Sequence, residues 1–390
     1  MNFIFFSVHF PDFNEDFCYH LNQFGVRVLG IGDTDYDALS DRLKSSLTDY
    51  YKIPDLENYE EALRAVGFFT HRYGKIDRFE SLNEHWLELE ARIRTDFNIM
   101  GVKADTVKDI RQKSRMKHFF NKSGVNTIPY LDKINKMKVR KFVDTYGYPI
   151  IVKPDKGAGA SMTYKLSNDQ ELDNFFNNAP PDVEFIVEDF IDGIIMTYDG
   201  LVDLYGNILF ESTTVCENSI MEAVNTNDHV HYVNLVQVPD DVKEAGRKII
   251  KAFNIGERFF HIELFKSREN GEIIALEVNM RPPGAWMTDS INFTHDMDIY
   301  REWANMVVNG RIDGPFHGKY YTAYASRKNH KSYLHEHDAI LHLLDGKLVK
   351  HTAIAPVFSR AMGDYAYQFR SQSLEEIAQL ISFIQEEEIS

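Results

Sequence analysis

Four stretches of the 390-residue chain carry side chains whose types and spacing could do chemistry. The densest is the pair Phe260-His-Ile-Glu263-Leu-Phe265 and Ala275-Leu-Glu277-Val-Asn279-Met-Arg281, which reads as two strands joined through Arg268-Glu-Asn-Gly271. A two-residue Asn-Gly turn would place Glu263 opposite Val278 and away from Glu277. A three-residue turn, Glu269 to Gly271 with Gly271 left-handed, places Glu263 opposite Glu277 with Asn279 on the same side. Facing carboxylates repel unless a cation lies between them, and hard oxygen donors suit Mg2+ bridging nucleotide phosphates, so the three-residue form is expected. Arg281 follows on the same face. Its fork could hold a carboxylate or a developing phosphate charge, or form a structural ion pair with a neighbouring acid. His261 is expected to point to the other face as a packing residue.

A second stretch, Tyr148-Pro-Ile-Ile-Val-Lys153-Pro-Asp-Lys156-Gly157-Ala-Gly159, is an apolar strand that delivers a lysine and breaks into a glycine-bearing loop. A buried lysine needs a counter-charge, and glycines let backbone N–H groups approach phosphate oxygens. A phosphate cradle satisfies both; an ordinary hairpin turn with a surface lysine is the alternative. The order of lysine and glycines is not that of a Walker loop. In Glu184-Phe-Ile-Val-Glu188-Asp189-Phe190-Ile191-Asp-Gly193, a strand runs into a loop whose main chain could hydrogen-bond a flat polar ring.

These groups need a scaffold. Asn2–Val8, Asp12–Gly25 and Val26–Gly30 read as strand, helix and strand, a βαβ unit of a parallel sheet. Gly30-Ile-Gly-Asp33 is a strand-end turn, since the third glycine of a dinucleotide loop is missing. Ile76–Leu82 reads as a further strand, and Asn83 can cap a helix with Trp86, Leu89, Ile93 and Phe97 on its apolar face. A helix with Lys113, Met116, Phe119 and Phe120 should stop at a left-handed Gly124. Near the C-terminus, Lys319–Tyr324 reads as a strand, and Ser373-Leu-Glu-Glu376 as the capping box of a helix whose apolar face is Leu374, Ile377, Leu380, Ile381 and Ile384.

The chain holds 43 Lys+Arg against 59 Asp+Glu, a formal charge of −16, which disfavours nucleic-acid polymers and anionic membranes as partners. Cys18 and Cys216 form no CxxC pair, so neither a disulfide framework nor a thiolate zinc site is expected, and a reducing cytoplasm fits best. The longest uncharged runs, Met1–Pro11 and His229–Pro239, fall far short of the ~20 residues of a membrane span.

Taken in order, Arg111-Gln-Lys113, Gly124-Val-Asn-Thr-Ile-Pro129, YPIIVKP, VEDFIDG with Tyr198-Asp199-Gly200, and FHIELF…EIIALEVNMRPPGA resemble the ATP-grasp superfamily, in particular its carboxylate-amine ligases. The resemblance implies an α/β and α+β chain. A pre-ATP-grasp, Rossmann-like domain (1–105) would precede a two-lobed ATP-grasp fold (106–190 and 191–310) and a small C-terminal α+β part (311–390). It further implies that Lys113 and Lys153 bind ATP phosphates. Backbone N–H groups of Gly157, Ala158, Gly159, Ala160 and Ser161 would close over them, although Ala160-Ser161-Met162 replaces the family's more usual serine and third glycine. Glu188, Asp189, Phe190 and Ile191 would form the adenine hinge, Asp199 would line the ribose, and Glu263, Glu277 and Asn279 would hold Mg2+ (or Mn2+). Arg281 and Lys153 would be catalytic. The implied activity joins a small-molecule carboxylate to an amine through an acyl phosphate, releasing ADP and phosphate. Cytoplasmic localisation and a homodimer are compatible with it.

Two other functions stand beside this one: a biotin-carboxylase-like enzyme that activates bicarbonate, and a nucleotide-binding regulator without turnover. The pairs His335/His337 and His229/His231 have no evident third metal ligand and are expected to be ordinary polar side chains. Arg327, Arg360 and Arg370 are candidates for pairing with a substrate carboxylate.

Overall fold

The Phe-rich N-terminus forms β1 (Asn2–Phe6), whose Phe3, Ile4, Phe5 and Phe6 are all fully buried, as befits a strand covered on both faces. It pairs in parallel with β2 (Arg27–Gly32) and β4 (Arg78–Glu80), and β3 (Asp49–Lys52) lies outside β2, giving the order β3-β2-β1-β4. The expected βαβ unit is present, with helix Asn14–Gln23 between β1 and β2 and Gly25 left-handed behind it at φ +74°. The computed structural model describes residues 1–157, 162–217 and 226–388 of the chain.

β4 is shorter than its sequence suggests. The backbone of Leu82 turns left-handed (φ +55°), while Ser81 is bonded through its amide to Glu90, and the chain leaves the sheet. Asn83 then caps a 3-10 turn, Glu84–Trp86, by accepting from His85 N at 3.0 Å, and helix Leu87–Asp96 follows.

Beyond β5 (Asn126–Thr127), a small antiparallel sheet in the order β6-β9-β7-β8 is built from β6 (Tyr130–Leu131), β7 (Ile150–Pro154), β8 (Tyr164–Leu166) and β9 (Phe185–Asp189). Helices Lys136–Tyr146 and Asp169–Asn178 cover it, with Val139, Phe142, Leu172 and Phe175 packed on Ile150, Val152 and Val187.

The third sheet is the largest. β10 (Gly193–Val202) pairs with β14 (Arg258–Ser267) along its whole length, from Gly193↔Ser267 to Val202↔Arg258, and β15 (Ile273–Asn279) and β5 continue on that side. On the other side follow β12 (Thr214–Cys216), β13 (His231–Asn234), β16 (Tyr321–Arg327), β18 (Tyr365–Ser371) and β17 (Leu348–Ala353), while β11 (Ile208–Ser212) pairs with β10. The C-terminal strands therefore extend the same sheet that carries β14 and β15.

Helix Asp240–Phe253 lays Val242, Ala245, Ile249 and Ile250 against Tyr198, Phe260 and Ile262. The last helix, Leu374–Gln385, buries Ile377, Leu380, Ile381 and Ile384 but leaves Leu374 exposed, correcting the expected face. Its capping box is half made. Ser373 Oγ accepts from Glu376 N at 3.2 Å, whereas the Glu376 carboxylate takes the Ser371 hydroxyl instead of the Ser373 amide.

Charged side chains on and after β4 join the N-terminal sheet to the rest. Arg78 pairs with Glu257, Glu80 with Arg258, and Glu84 with Arg111 and Arg281. No helix among the described residues is long and apolar enough to cross a membrane.

Candidate functional site

A cavity of about 370 Å3 opens between the small sheet and the large one. One wall is the β14–β15 hairpin. Glu263 faces Glu277, and His261 faces Asn279, as the expected register requires. The route to that register differs from expectation. Ser267 N donates to Glu272 O and Gly271 N to Ser267 O, so the loop is the four residues Arg268–Gly271, with Gly271 left-handed at φ +74°. Near the loop Leu264 pairs with Ala275; then Leu276 is bulged out, and Glu263 pairs with Glu277. One extra residue in β15 thus brings the two carboxylates together.

Burial pushes the Glu277 carboxyl up, and repulsion from Glu263 adds to it, against the pull of Lys113. Glu263 is held low: burial would raise it, but its contact with His261 outweighs that. Two carboxylates and an amide on one face, one of them short of compensating charge, are a donor set suited to a divalent cation.

His261 lines this wall, which corrects the expectation of a packing role. Residues 261 and 263 are two apart in a strand and share a face. Its Nδ1 lies 2.6 Å from Asp199 Oδ1 and its Nε2 3.3 Å from Glu263 Oε1. Burial would lower the imidazole, but Asp199 and Glu263 hold it at about 9. Asp199 itself is fully buried behind His261, accepts from the Thr197 hydroxyl, and is not part of the cavity wall as we expected of a ribose contact.

The opposite wall is β7 and β9. Lys153 Nζ lies 2.7 Å from Glu188 Oε2, and Lys117 Nζ, from helix Lys113–Ser123, lies 2.7 Å from Glu188 Oε1. The Glu188 carboxylate is thus committed to two lysines, and Glu188 lines the cavity together with Asp189, Phe190, Ile191, Asp192 and Gly193. Lys117 was not singled out in the sequence, although it stands one helical turn after Lys113.

Lys113 Nζ lies 3.2 Å from Glu277 Oε1 and donates to Gly157 O at 2.7 Å. The helix start is pinned to the end of β7: Lys113 N donates to Asp155 O, and Ser114 N and Oγ donate to the Asp155 carboxylate at 2.7 and 2.8 Å. Gly157 is left-handed (φ +119°), and Ala158, Gly159, Ala160 and Ser161 lie outside the described residues. Arg281 lines the cavity, with Nη1 donating to Pro282 O at 2.9 Å and Nε 3.5 Å from Glu84 Oε2. The ion-pair alternative for this arginine is therefore realised while the residue still faces the cavity.

Residues 146–290 match the ATP-grasp domain family. This chain carries an ATP-grasp domain. The matched span holds Lys153, Glu188, Glu263, Glu277, Asn279 and Arg281, while Lys113 and Lys117 precede it. The chain is similar to the L-arginine-specific L-amino acid ligase of Bacillus subtilis (22% identical over 282 residues, 68% of this chain and 66% of that protein). It also resembles the carbamoyl phosphate synthase large chain of Methanothermobacter thermautotrophicus (25% over 232 residues, 55% and 20%). The chain spans about a fifth to two thirds of the length of these two curated relatives.

Among solved structures, the L-amino acid ligase from Bacillus licheniformis superposes with a TM-score of 0.76 at 16% identity, covering 97% of this chain and 95% of that one. The biotin carboxylase domain dimer of Hydrogenobacter thermophilus 2-oxoglutarate carboxylase, in complex with MgADP, ADP and bicarbonate, superposes at 0.69 and 14% identity, covering 100% and 90%. The mixed α/β fold expected around the ATP-grasp motifs is the one observed.

Outside the ATP-grasp cavity, the remaining candidates resolve into structural roles. Arg327 donates to Ile384 O and His335 O, and Arg370 to Phe293 O and Asp296, and neither lines the cavity. Arg360 sits on helix Pro356–Met362. His337 meets Tyr367, His335 meets Glu386, and His231 meets Gln385. Asp228, His229 and Glu387 converge, but Lys331 Nζ lies 2.8 Å from Asp228 and 2.6 Å from Glu387 and already supplies the cation.

Proposed function

We propose that this chain is an ATP-dependent ligase that joins a small-molecule carboxylate to an amine through an acyl phosphate, releasing ADP and phosphate. The observation that carries the proposal is the convergence on one cavity of Lys113, Lys153 and Arg281 with the facing pair Glu263 and Glu277 and with Asn279.

A carboxylate is a poor acyl donor because its leaving group would be oxide. Transfer of the ATP γ-phosphoryl group to a carboxylate oxygen gives an acyl phosphate and ADP; attack of the amine on the acyl carbon then expels phosphate and forms the amide. In this scheme Asp189, Phe190 and Ile191 hold the adenine, and Lys113 and Lys153 hold phosphate oxygens from two elements. Glu263, Glu277 and Asn279 would hold Mg2+, or Mn2+, which neutralises phosphate charge when bound. Arg281 stabilises the phosphoryl group in transit, and the enclosing walls keep water from the acyl phosphate.

A screen of carboxylates against amines, read by ADP and phosphate release, tests the proposal: turnover that requires both substrates supports it. The likeness to 2-oxoglutarate carboxylase, also present in sequence (23% identical over 214 residues), favours one second function, bicarbonate activation. ADP release that needs bicarbonate and no amine would select it. MgADP binding without turnover on any pair would select the regulator.

A further inference from the structure

Glu84 belongs to the N-terminal domain, yet its carboxylate reaches the arginine of the ATP-grasp cavity. The left-handed backbone at Leu82 (φ +55°), a conformation rare for leucine, turns the chain off β4 so that Glu84 opens the 3-10 turn facing the end of β15. Its side chain is 4% exposed. Oε1 accepts from Arg111 Nη1 at 2.9 Å, whereas Oε2 lies 3.5 Å from Arg281 Nε and accepts no hydrogen bond. A guanidinium is a rigid planar fork of five donors, so fixing one edge orients the rest. Here Nε is faced by Glu84 and Nη1 is bonded to Pro282 O, which leaves the Nη2 edge for the cavity that Arg281 lines. The same carboxylate holds Arg111, two residues before Lys113. Two other pairs that join the domains, Arg78–Glu257 and Glu80–Arg258, do not reach a cavity residue.

We propose that Glu84 is a positioning residue: from the N-terminal domain it orients Arg281 toward the phosphoryl group and couples that orientation to the helix carrying Lys113. The proposal rests on the ligase function above. Because the organic substrates are unidentified, the probe is inorganic phosphate, titrated calorimetrically into the full chain saturated with MgADP. Glu84→Asp keeps the charge but falls one methylene short. It should weaken phosphate binding about tenfold, as expected for one charge-assisted contact, while leaving MgADP affinity within about twofold. Glu84→Gln keeps the reach but removes the charge that faces Arg281 and Arg111, and should weaken phosphate binding at least as much. Glu257→Gln, at a pair that only joins the domains, should leave phosphate and MgADP binding unchanged.

Phosphate affinity indifferent to both Glu84 variants, or a fall matched by MgADP affinity or by Glu257→Gln, overturns the positioning role alone. Wild-type protein that binds MgADP but no phosphate overturns the role of Arg281 and this proposal with it. Failure of the wild type to bind MgADP overturns the ligase function itself.

Discussion

Glu188→Gln should cost about 3 kcal/mol of stability at neutral pH, and that cost should vanish in acid. Glu188 sits with its two oxygens 2.7 Å from Lys117 and Lys153, and the three side chains are 2%, 0% and 9% exposed. Burial alone would raise this carboxyl, but the two ammonium groups outweigh it and hold it at about 2, against an ordinary 4.5. At about 1.4 kcal/mol per pH unit, that difference corresponds to about 3 kcal/mol of folding free energy. The sign follows from the direction. A carboxyl depressed on folding contributes its full stabilisation above its unfolded value of 4.5 and loses it as pH falls toward about 2.

Glutamine keeps the shape, removes the charge and leaves two buried ammonium groups facing each other, a loss of the size seen when one member of a buried ion pair is removed. Urea unfolding of wild type and variant, followed by circular dichroism from pH 7 to pH 2.5, measures the difference directly. The gap should be flat near about 3 kcal/mol above pH 5 and close below it. Adding Lys117→Met should recover part of the loss, since Lys117 is pushed down by its burial and Glu188 is the first group to oppose this, ahead of Glu277. A gap below about 1 kcal/mol at pH 7, the range of a surface pair, or one that does not change with pH, would refute the reasoning.

Glu277→Ala should abolish ADP formation while leaving the circular dichroism spectrum intact, and excess chelator should stop the wild type; full activity in either case removes Glu277 from a metal site. Gly246→Ala should destabilise at the upper end of about 1–3 kcal/mol, because its Cβ would lie 2.0 Å from the buried ring of Tyr198; an unchanged urea midpoint contradicts that packing. Both cysteines are buried, and burial raises both thiols, Cys216 to about 12, so neither should react with a disulfide reagent at pH 8 until the protein is unfolded. Fast labelling of native protein would show that the cavity admits reagent at Cys216, which lines it.

The parts of the site that were legible in the sequence are those fixed by strand period. Glu263, Glu277 and Asn279 share a face whichever way the loop is built, provided the register is right, and the repulsion of two facing acids pointed to that register. The loop itself was not legible. A four-residue turn plus a bulge at Leu276 reaches the same pairing as a three-residue turn, and nothing in Ser267–Leu276 distinguishes the two locally. His261 could have been placed by the same period that placed Glu263. Lys117 and Glu84 required tertiary knowledge: a lysine on a helix and an acid after a strand are ordinary surface residues until β9 and the end of β15 are packed against them. Arg327 and Arg370 lie away from the cavity, bonded to backbone carbonyls of distant elements and, for Arg370, to Asp296, which their place in the sequence did not show.

The net charge of −16 gains a different meaning at this site. Lys113, Lys117, Lys153, Arg111 and Arg281 are set among Glu84, Glu188, Glu263 and Glu277, and each of the five cations has a carboxylate within 3.5 Å. These cations are therefore charge-paired within the protein itself. That pairing also decides which variants separate function from folding. Removing Glu188 strands two buried lysines without the carboxylate that contacts them both, so stability and activity should fall together. Removing Glu277 leaves Lys113 its bond to Gly157 O and relieves the repulsion on Glu263, so the fold survives while the oxygen donor is lost.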